Sequence, residues 1–174
     1  MSRNSQIYDI HEGDIFTIPV DDGFAYVGQV VCEYKDSWYV VVFDHRVALS
    51  EASDQTTDAL AGRPILGGIV FDARFRPGMW EIIGHSHVAP EQYAPAFTTG
   101  DARAGGVKMT NFRATKMREA TTEEAEQVPR RSVNSPLVLE KAVRAHAGVD
   151  RWLPAFDDFL VEKQRTSVEV FGTL

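Results

Sequence analysis

The sequence predicts an α+β fold, in which a strand-rich antiparallel meander or partly open barrel-like sheet precedes short helices late in the chain. β-branched and aromatic runs separated by turn signals fill the first two thirds, and helix start signals follow residue 119. The 174 residues contain no internal repeat or linker, so we expect a single domain over 1–174. Within it we place a strand-rich core at 12–118, a helical elaboration at 119–165 and a final strand at 166–171.

Three strands joined by short turns are expected near the N-terminus. The first covers 14–20, and Pro19 places it at a sheet edge or marks the end of the strand, because proline cannot donate to a ladder. The second covers 24–33, where Gly28 indicates a bulge or a close approach of another backbone. The third covers 38–43 and is apolar on both faces, which predicts a central position.

The middle of the chain is less regular. Residues 44–63 are acidic and rich in Ser, Thr and Asp, which predicts a long connection with room for one helical turn. Residues 85–106 are rich in Pro, Ala and Gly and are expected to be irregular. Further strands are expected over 64–71, 80–84, 107–112 and 114–118.

Helix signals appear in the last third. Thr121 and Glu124 have the spacing of a capping box, in which a hydroxyl and a carboxylate satisfy each other's backbone amides. Ser135 followed by proline predicts a second helix start, and Gly148 predicts its end. Apolar spacing over 152–160 predicts a further short helix.

Composition excludes several function classes. The net charge of −7 and pI of about 5.2 argue against a nucleic-acid partner, which requires a basic footprint. The single cysteine, Cys32, excludes a disulfide framework, and its apolar neighbours predict a buried thiol. The N-terminus lacks a signal-peptide core, and no run approaches the ~18 apolar residues of a membrane span, so we expect a cytoplasmic protein without membrane contact.

Charge is distributed unevenly along the chain. Residues 1–60 hold 11 acids and 3 bases, residues 61–118 hold 4 acids and 8 bases, and residues 119–174 hold 10 acids and 7 bases. An acidic first third would speed association with a cationic partner. The basic middle third has interleaved acids, which favours a solvated surface over an RNA site; its cations include Arg103, Lys108, Arg113, Lys116 and Arg118.

No residue pattern points strongly to catalysis, and we expect no cofactor. His85 and His87 would project from one face of an extended segment and could share a metal, although Glu91 is the only acid nearby. A small-molecule-binding or metal-binding, enzyme-like domain is therefore one alternative. Asp44 and His45 are adjacent, so on a strand they point to opposite faces, which disfavours an acid–base pair.

Two N-terminal segments and one later element resemble a known family. The strings GDIFTIPV and GFAYVGQVV, followed by a Trp-x-x-Ile-Gly element, look like the immunity protein 26 family of bacterial polymorphic toxin systems. The resemblance covers roughly 12–90 and implies a cytoplasmic, non-enzymatic antitoxin that binds the C-terminal domain of a cognate toxin in bacterial competition. It carries over no catalytic residue. The motif positions have the chemistry of scaffold residues and are Gly13, Asp14, Gly28, Trp80 and Gly84.

The acidic excess fits a cationic toxin such as a nuclease, because carboxylates presented to phosphate-binding groups increase the association rate and specificity. We therefore expect inhibition by occlusion, through acids in an exposed connection. A general protein-interaction module is a further alternative. The acids expected to face the toxin are Asp44, Glu51, Asp54 and Asp58 after the third strand, with Asp21 and Asp22 at the first turn in second place.

Overall fold

A computed structural model of the chain describes residues 9–75 and 78–174. In these residues it has nine strands, four α-helices and five short 3-10 helices. The strands are β1 (Asp14–Asp21), β2 (Phe24–Tyr34), β3 (Ser37–Ala48), β4 (Pro64–Val70), β5 (Ile82–His85), β6 (Phe97–Asp101), β7 (Gly106–Thr110), β8 (Met117–Glu119) and β9 (Val133–Asn134). The α-helices are α1 (Thr56–Leu60), α2 (Thr122–Gln127), α3 (Pro136–His146) and α4 (Ser167–Phe171). The 3-10 helices are Leu49–Gln55, Asp72–Arg74, Pro90–Gln92, Pro154–Phe159 and Val161–Lys163.

The main sheet is open and has the strand order β5-β1-β2-β3-β4-β9, and β6, β7 and β8 form a smaller sheet. Neighbouring strands are antiparallel except β4 and β9, which are parallel. This confirms the predicted α+β class and the central position of β3. β1 lies between β5 and β2, but β5 pairs only with Asp14, Ile15 and Phe16. Among the described residues, Pro19 therefore lies where β1 pairs with β2 alone and is locally an edge, as one of the two alternatives for this proline predicted.

One face of the main sheet packs against the late helices. Phe16 of β1 is fully buried, and its ring stacks on Trp80 with 5.2 Å between centroids. Leu139 and Val143 of α3 and Phe159 of a late 3-10 helix belong to the same buried cluster. Burying each such side chain contributes about 1.5–3 kcal/mol, so this layer holds the C-terminal third on the sheet.

The opposite face is covered in two parts. Over β1 and β2, Ala52 and Ala59 of the helical segment 49–60 pack with Ile15. Over the other end, Phe112 beside the smaller sheet packs edge-on against Tyr39 of β3 with 5.7 Å between ring centroids. The segment 49–60 is therefore anchored by its alanines and exposes its other side to solvent.

The third strand is longer than predicted, and the connection after it is shorter and helical. β3 continues to Ala48 because its residues pair with β2, including Phe24 opposite Ala48 and Tyr26 opposite Arg46. The expectation of a connection over 44–63 was wrong for its first five residues. A second difference lies in 85–106, where β6 forms by pairing with β7.

The helix start signals are confirmed. The Thr121 hydroxyl accepts a hydrogen bond from the Glu124 amide at 3.1 Å, and the Glu124 carboxylate accepts one from the Thr121 amide at 2.9 Å. Ser135 caps α3, with proline as the first helical residue, and Gly148 adopts a positive φ of 78° after its end. A short 3-10 helix lies within 152–160, as expected for that segment.

The final strand predicted over 166–171 was wrong, because Ser167–Phe171 forms α4. The Thr166 hydroxyl accepts a hydrogen bond from the Glu169 amide at 3.2 Å, and Gly172 ends the helix in the left-handed conformation. These two caps outweigh the alternation of Val168 and Val170, which is too short to define a strand. Among the helices that the structure describes, none is long and apolar enough to cross a membrane.

Candidate functional site

Asp44 lies in β3 and not in the connection after it, and its carboxylate pairs with other side chains of the protein. Its carboxylate is 3.2 Å from His146 Nε2 and 3.6 Å from the Arg63 guanidinium. The His146 ring packs edge-on against Tyr26, with 5.7 Å between centroids, and burial together with the Asp44 charge raises the pKa of Tyr26. Asp44 thus joins the main sheet to the C-terminal end of α3.

The two acids of the first turn differ from each other. Asp21 accepts a hydrogen bond from the Arg46 guanidinium at 2.7 Å, so its charge is compensated. Asp22 is exposed and has no ion pair with any residue that the structure describes. Sequence reasoning missed Arg46 and Arg63 as partners of these predicted acids. For Arg46 the missing signal was the strand extension that places it beside β2.

Glu51, Asp54 and Asp58 are exposed on the helical segment 49–60. Glu51 and Asp54 are three residues apart in the 3-10 helix and so lie on one side of it, and Asp58 follows in α1, whereas Ala52 and Ala59 of the same segment are buried. Glu51 accepts a hydrogen bond from Gln55 at 3.0 Å. Within residues 9–75 and 78–174, none of the three carboxylates forms an ion pair.

The start of this segment lies beside the first turn. The Leu49 amide donates a hydrogen bond to the Gly23 carbonyl at 2.8 Å, directly after the pairing of β2 with β3 ends. Asp22 and Glu51 therefore lie at the same end of the sheet. We call Asp22, Glu51, Asp54 and Asp58 the acidic surface, which retains four of the six predicted acids and excludes the paired Asp21 and Asp44.

A second acid-rich region lies in the last third, around a groove of about 530 Å³ between α2 and the late 3-10 helices. It contains its own cations, Lys163 and Arg165. Lys163 donates to Asp157 at 3.0 Å. Beside the groove, hydrogen bonds from Arg118 at 2.6 and 2.7 Å lower the pKa of Glu124 to about 2, and Arg165 adds a contact at 3.2 Å.

The two regions differ in how many acids pair with arginine or lysine. Within the described residues, two of the eleven acids before residue 61 form such a pair, whereas six of the ten acids after residue 118 do. Within the described residues, the negative charge before residue 61, which includes the acidic surface, is therefore less compensated by arginine and lysine than the negative charge after residue 118. Such a surface attracts cationic partners.

The histidines of the metal alternative are not brought together with a ligand set. His85 Nδ1 is 3.1 Å from the buried carboxylate of Asp14, which also accepts a hydrogen bond from the His11 amide at 2.8 Å. This contact fixes β5 against β1. His87 is exposed, and the described part of the chain holds no group of three or more His, Cys, Asp or Glu side chains that could bind a metal ion.

The motif residues make contacts inside the fold. A Cβ on Gly28 would lie 2.5 Å from the Phe16 ring, so only glycine leaves room for this ring against β2. Trp80 is buried and its indole nitrogen donates to Glu140 at 3.0 Å. Gly13 has a φ of 96°, and Gly84 pairs with a residue of β1.

Cys32 is buried in β2, as its apolar neighbours predicted. Burial raises the pKa of its thiol to about 12. The reactive thiolate is therefore scarce near neutral pH, and the thiol does not function as an accessible nucleophile.

One of three comparisons with known proteins agrees with the resemblance drawn from the N-terminal motifs. The family model described as Immunity protein 26 matches residues 11–106. No curated protein and no solved structure matches the chain. The matched residues contain β1 to β6 and the whole acidic surface, whereas α2, α3 and α4 lie outside them.

Proposed function

Because this chain belongs to the immunity protein 26 family, we propose that it neutralises a cognate bacterial toxin by binding it and covering its active site. The family implies a toxin-neutralising immunity function. The finer features of the proposal are a C-terminal toxin domain of a polymorphic toxin system, a cytoplasmic site of action and a role in competition between bacteria.

The acidic surface supports a cationic toxin of the nuclease type. A nuclease binds phosphates through basic side chains, and these can bind carboxylates in the same positions. Glu51, Asp54 and Asp58 present three exposed negative charges on one short helical segment, uncompensated by described residues. This group of exposed carboxylates is the single observation that carries the choice of partner.

Inhibition by occlusion is favoured over chemical inactivation of the toxin. The strongest candidates for acid–base or nucleophilic chemistry are engaged in scaffold contacts: His85 with Asp14, Asp44 with His146, and Cys32 within the core. A binding surface requires no reactive group, only complementary shape and charge. The proposal therefore assigns the chain a stoichiometric role.

Co-expression with the product of the adjoining upstream gene tests the function. Cells that express the toxin should grow again when this protein is co-expressed, and the two proteins should co-purify as a stable complex. With purified proteins, residual toxin activity should fall in proportion to added immunity protein and reach zero at an equimolar ratio. Inactivation of a large excess of toxin would contradict occlusion, and absence of both rescue and complex would favour a general interaction module.

A further inference from the structure

An exposed aromatic ring lies at the end of the β1–β2 hairpin, next to the acidic surface. Phe24 is the first residue of β2 and is 42% exposed. It lies on the same face of β2 as Tyr26 and Val30, which are both buried in the main cluster. Phe24 itself is outside that cluster, so its ring is available at the surface.

The ring is held in place by a charged pair. The Arg46 guanidinium lies 4.5 Å from the centroid of the Phe24 ring, and the same guanidinium donates to Asp21 at 2.7 Å. A cation stacked on an aromatic face restricts the motion of both groups. An anchor that is already ordered loses little side-chain entropy on binding, which favours affinity.

A second exposed apolar side chain lies beside the same turn. Leu49 is 39% exposed, and its amide bonds to the carbonyl of Gly23, the residue before Phe24. The neighbouring positions Asp22 and Glu51 carry uncompensated charges within the described part of the chain. An apolar centre with a charged periphery is the usual anatomy of a protein interface, in which aromatic residues often dominate the binding energy.

Charge determines which occupant fits. In a twofold homodimer, the same patch would face itself, so Asp22 and Glu51 of one copy would approach the identical acids of the other. Like charges at an interface oppose association. A partner with an apolar recess and a basic periphery meets no such repulsion and complements both features.

We infer that Phe24 is the apolar anchor of the toxin interface, with Leu49 as the adjoining contact and the acidic surface as its periphery. The inference rests on the proposed function, since the occupant is the cognate toxin domain. It places the centre of the interface at the β1–β2 turn, within the segment matched by the family model. Arg46 is a positioning residue that orients the ring.

Calorimetric titration with the purified toxin domain tests this assignment. Phe24→Ala should weaken toxin affinity about tenfold or more, and Leu49→Ala about threefold, as expected for an anchor and its neighbour. The matched control is Leu153→Ala, because Leu153 is 46% exposed but lies in the C-terminal third. The control should change affinity by less than about twofold.

Circular dichroism and thermal unfolding of the variants separate binding from folding. If Phe24→Ala is misfolded, Leu49→Ala decides the question. If the wild type binds the toxin and both variants bind it as tightly as the wild type does, the anchor assignment is overturned and the proposed function stands. If the wild type neither binds nor protects, the proposed function fails as well. A dimer of the isolated chain that Phe24→Ala abolishes would assign the patch to a second copy and overturn the inference.

Discussion

The acids before residue 61 and those after residue 118 are similar in number but differ in their surroundings. In the first region the described structure leaves most carboxylates without an arginine or lysine, whereas in the second it pairs most of them. Paired carboxylates hold elements together, and unpaired exposed carboxylates produce a field that a partner can sense. Composition alone therefore does not identify which acids serve binding.

Glu124 illustrates the second region. Its carboxylate is largely buried, caps α2, and contacts Arg118 of β8 and Arg165 of the segment before α4. Asp54 illustrates the first region, because it is exposed on the segment 49–60, whose buried residues are the alanines Ala52 and Ala59. The first residue serves the fold, and the second is assigned to the partner.

Removing Glu124 should produce the largest effect on the protein alone. Glu124→Ala eliminates the capping box and leaves Arg118 and Arg165 without their shared anion, which should lower the free energy of unfolding by about 2–3 kcal/mol. Asp54→Ala is the control and should change it by less than about 0.5 kcal/mol. Urea denaturation measures both, and equal stabilities would show that the two regions do not differ.

Toxin affinity should depend strongly on salt. Raising the salt concentration from about 0.05 M to about 0.5 M should weaken binding by roughly tenfold, because exposed charges are screened over shorter distances. Titrations at both concentrations measure the effect. A salt-independent affinity would mean that the acidic surface does not contribute to the complex.

The contribution of Glu124 to stability should depend on pH. The pKa of Glu124 is lowered to about 2 in the folded state, so its ionised form stabilises the fold above about pH 4.5 and this contribution is lost as pH falls towards 2. The difference in unfolding free energy between the wild type and Glu124→Gln should therefore shrink over that range. The loss of unfolding free energy in Glu124→Gln should be smaller than the loss in Glu124→Ala, because glutamine can still accept the hydrogen bond from the Thr121 amide. A constant difference would contradict the assignment.

The smallest effect is expected for a single charge at the end of the acidic surface. Asp58→Asn should lower the association rate with the toxin by about twofold and leave the dissociation rate and the stability unchanged. Stopped-flow mixing measures the rate. A change confined to dissociation would place Asp58 in a direct, desolvated contact instead.

Local signals predicted much of the fold. The turn at 21–23, the capping box at Thr121 and the Ser135 cap each act within a few residues, so the sequence alone reveals them. The extension of β3 depends on pairing with the start of β2, such as Phe24 opposite Ala48, which no local pattern reports, whereas β6 forms a hairpin with β7, the strand that directly follows it. Composition suggested a loop at 44–48, but β2 supplied hydrogen bonds that make a strand there.

The candidate site was predicted in part for the same reason. Glu51, Asp54 and Asp58 lie on an exposed segment, as their density suggested, whereas the compensation of Asp44 and Asp21 by Arg63 and Arg46 is set by tertiary contacts. The sequence did not predict the exposure of Phe24 either, because β-strand alternation places this residue on the face of β2 that is buried further along the strand.

The central claim is that the acidic surface, and not acidity in general, binds the toxin. The most direct measurement compares toxin affinity of two triple reversals: Glu51, Asp54 and Asp58 to lysine, and Glu123, Glu126 and Glu162 to lysine. All six side chains are exposed and lack ion pairs in the described residues, and the two sets change net charge equally. Asp44 is left intact because it holds α3. The first set should weaken binding by about tenfold or more and the second by less than about twofold. Equal losses of toxin affinity in the two triple variants, or no loss in either, would contradict the assignment of the toxin interface to the acidic surface.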